Sequence, residues 1–190
     1  MSRRRCITSI ALLLATLAFG THAEAQIAAD EAEVKAAFVF NFLKFVEWPA
    51  DAFRDSADRI VVAIIGKSAS AEATERFLAS KQIGNRAVAI RPMHWDDSLD
   101  GVHALFVAEH DARRLRSVLN AAAAAGVLTI GDGEAFATQG GVIGLLVENR
   151  RVRFDIDADA ARTARLRVSS KLLALARVVY PTTTAAGARP

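Results

Sequence analysis

Cysteine is almost absent from this chain of 190 residues, Cys6 being the only one. A lone thiol closes no intramolecular disulfide, and Cys6 lies upstream of an apolar run, away from the cleavage point where a lipid-anchoring cysteine would sit. Long apolar runs are scarce too. The one candidate, from Ile10 to Phe19, is well short of the roughly 20 residues a membrane-spanning helix needs. With Arg3, Arg4 and Arg5 before it and Ala23-Glu24-Ala25 behind it as an A-x-A cleavage site, residues 1–25 read as a secretory signal peptide. The expected mature chain starts near Gln26, is soluble, and resides in a bacterial periplasm. Having no disulfide is unusual in an oxidising compartment and leaves the core alone to hold the fold. About 165 residues suffice for that as one domain.

An excess of one charge is also missing. The sequence pI of about 9.4 belongs to the precursor. Removing Arg3, Arg4, Arg5 and Glu24 turns 24 basic against 21 acidic residues into 21 against 20. A near-neutral domain has no electrostatic footprint for nucleic acid, and none for a membrane surface.

Catalytic and metal-binding patterns are lacking as well. His94, His103 and His110 have no zinc-motif spacing, and a solvated or structural role is the simpler reading for each. The run Ser169-Ser170-Lys171 lacks the spacing of serine nucleophile motifs, and helix capping explains both serines. Gly131 to Gly133 and Gln139 to Gly141 match neither G-x-G-x-x-G nor a P-loop; Gly140 and Gly141 read as positive-φ turn residues. No catalytic residue, metal site or cofactor is therefore expected.

What is present is an alternation of strand-like and helix-like segments. The continuous run Ile60 to Ile65 is the pattern of a strand covered on both faces. A helix follows Gly66, capped by Ser68 or Ser70, and strands follow at Ala87 to Pro92 and Ala104 to Glu109. Asp111 caps the next helix and Gly126 ends it. Val127 to Asp132 is a fourth buried strand, with a short helical turn after it. Two runs then flank Glu148-Asn149-Arg150; the second alternates Val152, Phe154 and Ile156 against Arg151, Arg153 and Asp155, a hairpin signature. A last helix covers "SSKLLALARVV", and residues 181–190 read as a disordered tail. The expected fold is a three-layer α/β sandwich with a mostly parallel sheet and an antiparallel edge hairpin, forming a single domain over residues 26–180.

The opening stretch "VKAAFVFNFLKFVEWP" carries aromatic residues at helical spacing. Val34, Phe38, Val39, Phe42, Leu43, Phe45 and Val46 fill an arc of about 180°, the mark of a helix covering a sheet. Lys35 falls within that arc, and its ammonium is expected to reach water from near the helix start. Phe40 projects among Asn41, Lys44 and Glu47, so it is either a harmless surface aromatic or part of a partner patch. Arg151, Arg153, Arg162, Arg165, Arg167 and Lys171 concentrate positive charge in the last third of the chain, reading as a solvated face or as a docking patch for an acidic partner. Gly66, Glu109 and Asp132 lie at the carboxyl ends of strands, where α/β folds place ligand clefts; Asp132 reads more simply as a helix cap.

Three segments together, "EVKAAFVFNFLKFVEWP", "LTIGDGEAFATQGGVIGLLVENRRVRFDID" and "ARLRVSSKLLALARVV", resemble the YfiR family of periplasmic regulators in order and spacing over nearly the whole mature chain. The resemblance implies a non-enzymatic repressor. Such a protein binds the periplasmic sensor region of an inner-membrane diguanylate cyclase, or of another receptor such as a histidine kinase, and keeps it inactive. It also implies release by an outer-membrane lipoprotein, with cyclic di-GMP synthesis and biofilm growth as the output. A second copy of the chain stays among the admissible partners, and a periplasmic small-molecule binding protein is the alternative. Relatives carry redox-sensitive cysteine pairs; this mature chain has none, so that control does not carry over.

Overall fold

Apolar residues spaced three and four apart drive residues 28–45 into the first helix, α1, with Ala32, Ala36, Val39, Phe42 and Leu43 buried along one face. The computed structural model describes residues 28–53, 58–109 and 111–180. The expectations for the signal peptide, Cys6, His110 and the tail after residue 180 lie outside the described residues. Phe42 and Leu43 enter the main core with Val39, while Phe38 and Phe45 pack against it partly buried. Val34 departs from the expected arc and is 45% exposed, although Ala32, Lys35 and Ala36 around it are buried.

Past α1 the chain makes a short strand β1 (Val46–Glu47), a 3-10 turn at Ala50–Ala52, and then β2 (Ile60–Ile65). Next come α2 (Ala69–Leu78), β3 (Gln82–Ile83), β4 (Arg86–Met93), β5 (Ala104–Val107), α3 (Ala112–Ala125) and β6 (Leu128–Asp132). The last part holds β7 (Ile143–Glu148), β8 (Arg151–Asp157), α4 (Ala158–Thr163), β9 (Arg167–Val168), α5 (Ser170–Leu173) and β10 (Val178–Tyr180). The eight-stranded sheet has the order β10-β8-β7-β6-β5-β2-β4-β3, and β1 pairs with β9 in a separate antiparallel ribbon. Within the large sheet only β7–β8 and β3–β4 are antiparallel.

The apolar run of β2 explains the three layers. Ile60, Val62 and Ile64 face the core beneath α1, whereas Ala63 and Ile65 face a second core with Leu115, Val118 and Leu119 of α3. Period-two alternation thus sends successive side chains to opposite helical layers. Ser68 caps α2, Asp111 caps α3, and Gly126 closes α3 in the left-handed region at φ 73°. The β7–β8 turn has Asn149 and Arg150 at φ 50° and 61°, a two-residue connection with both central residues left-handed, whose twist suits a hairpin.

Three local readings change. The final helix is only Ser170–Leu173, capped by Ser169; Val178–Tyr180 instead pairs in parallel with Asp155–Asp157 and covers the free side of β8. The hairpin therefore lies one strand in from the margin, and its last strand gains a partner for its backbone groups. Gly140 takes the positive φ expected of it, but Gly141 does not; Gly141 and Gly131 instead leave room for the buried ring of Phe136, which a Cβ at either position would strike. Asp155 is fully buried where the alternation placed it facing solvent, because Arg177 and β10 close over it.

Candidate functional site

The carboxyl ends of the parallel strands hold the first candidate site. Strands β4 and β5, consecutive in sequence, flank β2 on opposite sides, and α2 and α3 pack on opposite faces. This makes the β2–β5 border a topological switch point, where open α/β sheets form a crevice. Gly66 ends β2 at φ 93°, and a Cβ there would collide with Glu109, so only glycine lets the two loops meet. Gly66 and Glu109 line a cleft of about 730 Å³ together with Lys67, Glu75, Met93 and Trp95. Carboxylates and a lysine stand on its rim and apolar side chains beneath, an arrangement able to receive a small molecule.

Asp132, the third cleft candidate, is engaged elsewhere. Its Oδ1 accepts a hydrogen bond from Lys35 Nζ at 2.7 Å, and the same ammonium lies 2.6 Å from Glu31 Oε1. Lys35 is buried, not reaching water as its position near the helix start had implied. Burial alone would lower its pKa, but the hydrogen bonds and charges of Asp132 and Glu31 outweigh that and raise it above the ordinary 10.5. Asp132 does not cap the turn after β6 either, since that turn, Ala137–Gln139, starts from Phe136 with no side-chain cap. The pair instead ties α1 to the end of β6. Lys35 was legible as a cation on an apolar arc; its partner, 97 residues away, was not.

A second buried charge system sits at the β8 margin. Arg177 Nε and one terminal nitrogen donate to the two oxygens of Asp155 at 2.9 and 2.6 Å, and the other terminal nitrogen reaches Glu134 at 3.2 Å and Glu148 at 3.3 Å. This fork-to-carboxylate geometry raises the Arg177 pKa above its ordinary value, led by the Asp155 hydrogen bond. The only local signal for the site was the β-prone run Val178-Val179-Tyr180 directly after Arg177.

His103 is structural, and buried. Its Nδ1 accepts from the Val61 amide at 3.1 Å and its Nε2 meets the Ala52 carbonyl at 3.1 Å, which fixes the neutral tautomer with the proton on Nε2. Phe53 stacks on the ring at 4.5 Å, and Arg86 lies over Phe53 at 3.8 Å. Burial, assisted by the positive charge of Arg86 and opposed by the Ala52 hydrogen bond, lowers the His103 pKa. Among the described residues no group of three His, Cys, Asp or Glu side chains could hold a metal ion.

The partner candidates are dispersed. Phe40 is half-buried, not free: its ring meets Phe77 edge-on at 6.0 Å and carries Lys44 and Lys81 near its face at 5.5 and 5.9 Å. Arg162 pairs with Asp159, Arg165 with Asp51 at 3.2 Å, and Arg167 with Glu47 at 3.9 Å. Arg165 borders Gly126 at the amino end of β6, whereas Arg151 begins the antiparallel β8 at the sheet's opposite end. Lys171 is exposed on α5, and Arg153 is exposed on β8. One continuous basic patch is therefore not formed.

The family model DUF4154, YfiR/HmsC-like, matches residues 32–177. The chain belongs to the YfiR/HmsC-like family. The match starts in α1 and ends on Arg177, so both Lys35–Asp132 and Asp155–Arg177 fall within the family domain. No curated protein matches the chain. Among solved structures it is similar to a conserved domain protein from Vibrio cholerae O1 biovar El Tor str. N16961, at 11% identity and a TM-score of 0.54 over 78% of this chain. The match covers 60% of that protein's length and speaks for the fold alone. A weaker likeness is to the ABC domain in complex with L-Trp from Streptococcus pneumonia, at 11% identity and a TM-score of 0.48, covering 64% of this chain and 55% of that one.

The YfiR/HmsC-like family is periplasmic, regulatory and non-catalytic. Among the described residues no helix is long and apolar enough to cross a membrane.

Proposed function

We propose that this YfiR/HmsC-like chain is a periplasmic repressor that binds the periplasmic sensor region of an inner-membrane signalling protein, first of all a diguanylate cyclase, and holds it inactive. The family match over residues 32–177 carries this reading. The physical logic is a population shift: a periplasmic protein that binds the inactive receptor state more tightly lowers cytoplasmic output without crossing the membrane. An outer-membrane lipoprotein competing for the repressor would reverse the shift and favour cyclic di-GMP synthesis and biofilm growth.

The test is a crosslinking pull-down of the mature protein from intact periplasm and inner membrane, with bound proteins identified by mass spectrometry. Recovery of a membrane cyclase or kinase with a periplasmic domain is the expected result. Failure to recover one, under conditions that capture a control pair, sinks the reading.

A small-molecule function is the second reading, favoured by the cleft at Gly66 and Glu109. The two are compatible, since a ligand that alters the repressor tunes its affinity for the receptor. A thermal-shift screen of periplasmic metabolites, repeated on Gly66→Val, tests it; a hit unaffected by the substitution places no ligand in the cleft.

A further inference from the structure

Four large hydrophobic residues are exposed among the described residues, and two of them, Val34 and Val147, line one groove. The groove runs between the first turns of α1 and the tip of the β7–β8 hairpin, holds about 600 Å³, and has Val152 as its third apolar residue. Its origin lies in strand alternation. Val147 shares a face with Ile143 and Leu145, which are buried beneath α1, but it stands two residues beyond the helix's cover and stays 45% exposed.

The rims differ in what they leave uncompensated. Glu31, on the α1 rim beside Asp30, is committed to Lys35. On the hairpin rim stand Arg150 and Arg151. Glu148 is the register partner of Arg151, yet its carboxylate goes to Arg177. Arg150 and Arg151 make no ion pair among the described residues. The other two exposed hydrophobics, Leu175 and Val178, flank Arg177, whose charge is already met by three carboxylates. Apolar surface and unspent positive charge therefore coincide at the hairpin groove and not at the β10 margin.

We propose that this groove is the surface that docks the membrane receptor, and that it takes an amphipathic acidic segment of the receptor's periplasmic region. Apolar side chains of that segment seat on Val34, Val147 and Val152, and its Asp or Glu residues face Arg150 and Arg151. The inference rests on the repressor reading and adds the place and the chemistry of contact.

The experiment introduces a photo-crosslinking residue at Val34, Val147 or Leu175 of the full chain in cells and identifies what each captures. Val34 and Val147 are expected to capture an inner-membrane protein with a periplasmic domain, through a peptide rich in Asp or Glu, while Leu175 does not. Arg150→Glu with Arg151→Glu should lower that yield about tenfold with an unchanged melting temperature, and replacing the receptor's acidic residues by Lys should restore it. Capture of the receptor from Leu175 alone overturns the groove but leaves repression standing. Capture of a second copy of this chain at Val147, a crosslinked segment without acidic residues, or a yield indifferent to charge reversal each overturns the proposal too. No receptor at any position sinks the repressor reading and this inference with it.

Discussion

Asp132 and Asp155 are both low-exposure carboxylates on the sheet, and each is met by a cation from a separate element, but the burial is divided oppositely. At the end of β6 the cation is the deeper partner: the Lys35 side chain is 8% exposed against 17% for Asp132. On β8 the acid is deeper, with Asp155 at 0% against 23% for Arg177. The geometry differs as well. Lysine is a point charge shared between Asp132 and Glu31, while arginine presents a planar fork that satisfies both oxygens of Asp155. The lesson is that the costlier deletion at each site is that of the more exposed partner, because it strands the buried charge.

The largest effect is therefore expected from Arg177→Gln, which strands a carboxylate with no exposure. The melting temperature should fall by about 10 °C or more at neutral pH. A scan showing no fall at pH 7 would break the comparison. Next is Asp132→Ala, which strands Lys35 with Glu31 as its remaining partner. The expected loss is about 2 kcal/mol in a denaturant titration. Lys35→Met combined with Asp132→Leu should recover most of it, since an apolar pair of similar volume leaves no charge to bury. If the double variant is no better than the single, the pair contributes more than the cost of burying it.

Those two sites also mark where the sequence was legible and where it was not. The central strands, the caps at Ser68, Asp111 and Ser169, the Gly126 terminus and the hairpin all follow from local chemistry, because their causes lie within a few residues of one another. Gly66 and Glu109 meet at one crevice, since strand ends in an open α/β sheet converge by topology. Asp132 was misread as a cap, and Asp155 as solvent-facing, because hydrophobic periodicity records which residues avoid water and not which charge has a counter-ion. Lys35 and Arg177 arrive from elements 97 and 22 residues away, and nothing in a short window shows them. Arg177 was further hidden inside an apparent helix, "SSKLLALARVV", whose last residues were claimed by the open side of β8. The exposure expected of Phe40 differs for a related reason: the helical wheel assigned it to the polar side, but Phe77 of α2 supplies apolar cover there.

Alkaline titration sharpens the contrast at a smaller scale. The raised Lys35 pKa means the folded state holds that proton more tightly than the unfolded chain, so the stabilisation is complete below 10.5 and is lost as the pH rises through the folded value. Arg177, shifted upward from an already high value, keeps its charge over the same range. Tyr180 beside it also has a raised pKa, through burial and then the charge of Asp155, and would add its own alkaline loss. The measurement therefore belongs in a Tyr180→Phe background, comparing Lys35 with the Lys35→Met, Asp132→Leu pair. Chemical denaturation between about pH 10 and 11.5 should show a slope of at most about 1.4 kcal/mol per pH unit that the paired substitution removes. A slope that survives it belongs to another group.

The smallest effect tests a buried polar group that forms no ion pair among the described residues. His103 is neutral, with one ring nitrogen accepting from Val61 and the other donating to Ala52, so protonation would cost it the first bond and place a charge beside Arg86. Its pKa is lowered from 6.5, so the unfolded chain binds the proton more readily; stability is whole above 6.5 and declines as the pH falls through the folded value. A loss of at most about 1.4 kcal/mol between pH 7.5 and 5.5 is expected. His103→Asn should lower stability at pH 7.5 and flatten that decline. Trp48 gives an independent readout, because its indole nitrogen donates to the His103 carbonyl at 2.9 Å. If the acid loss begins at His103, the Trp48 fluorescence changes over the same pH interval, whereas a decline with no fluorescence change places the titrating group away from this end of the sheet.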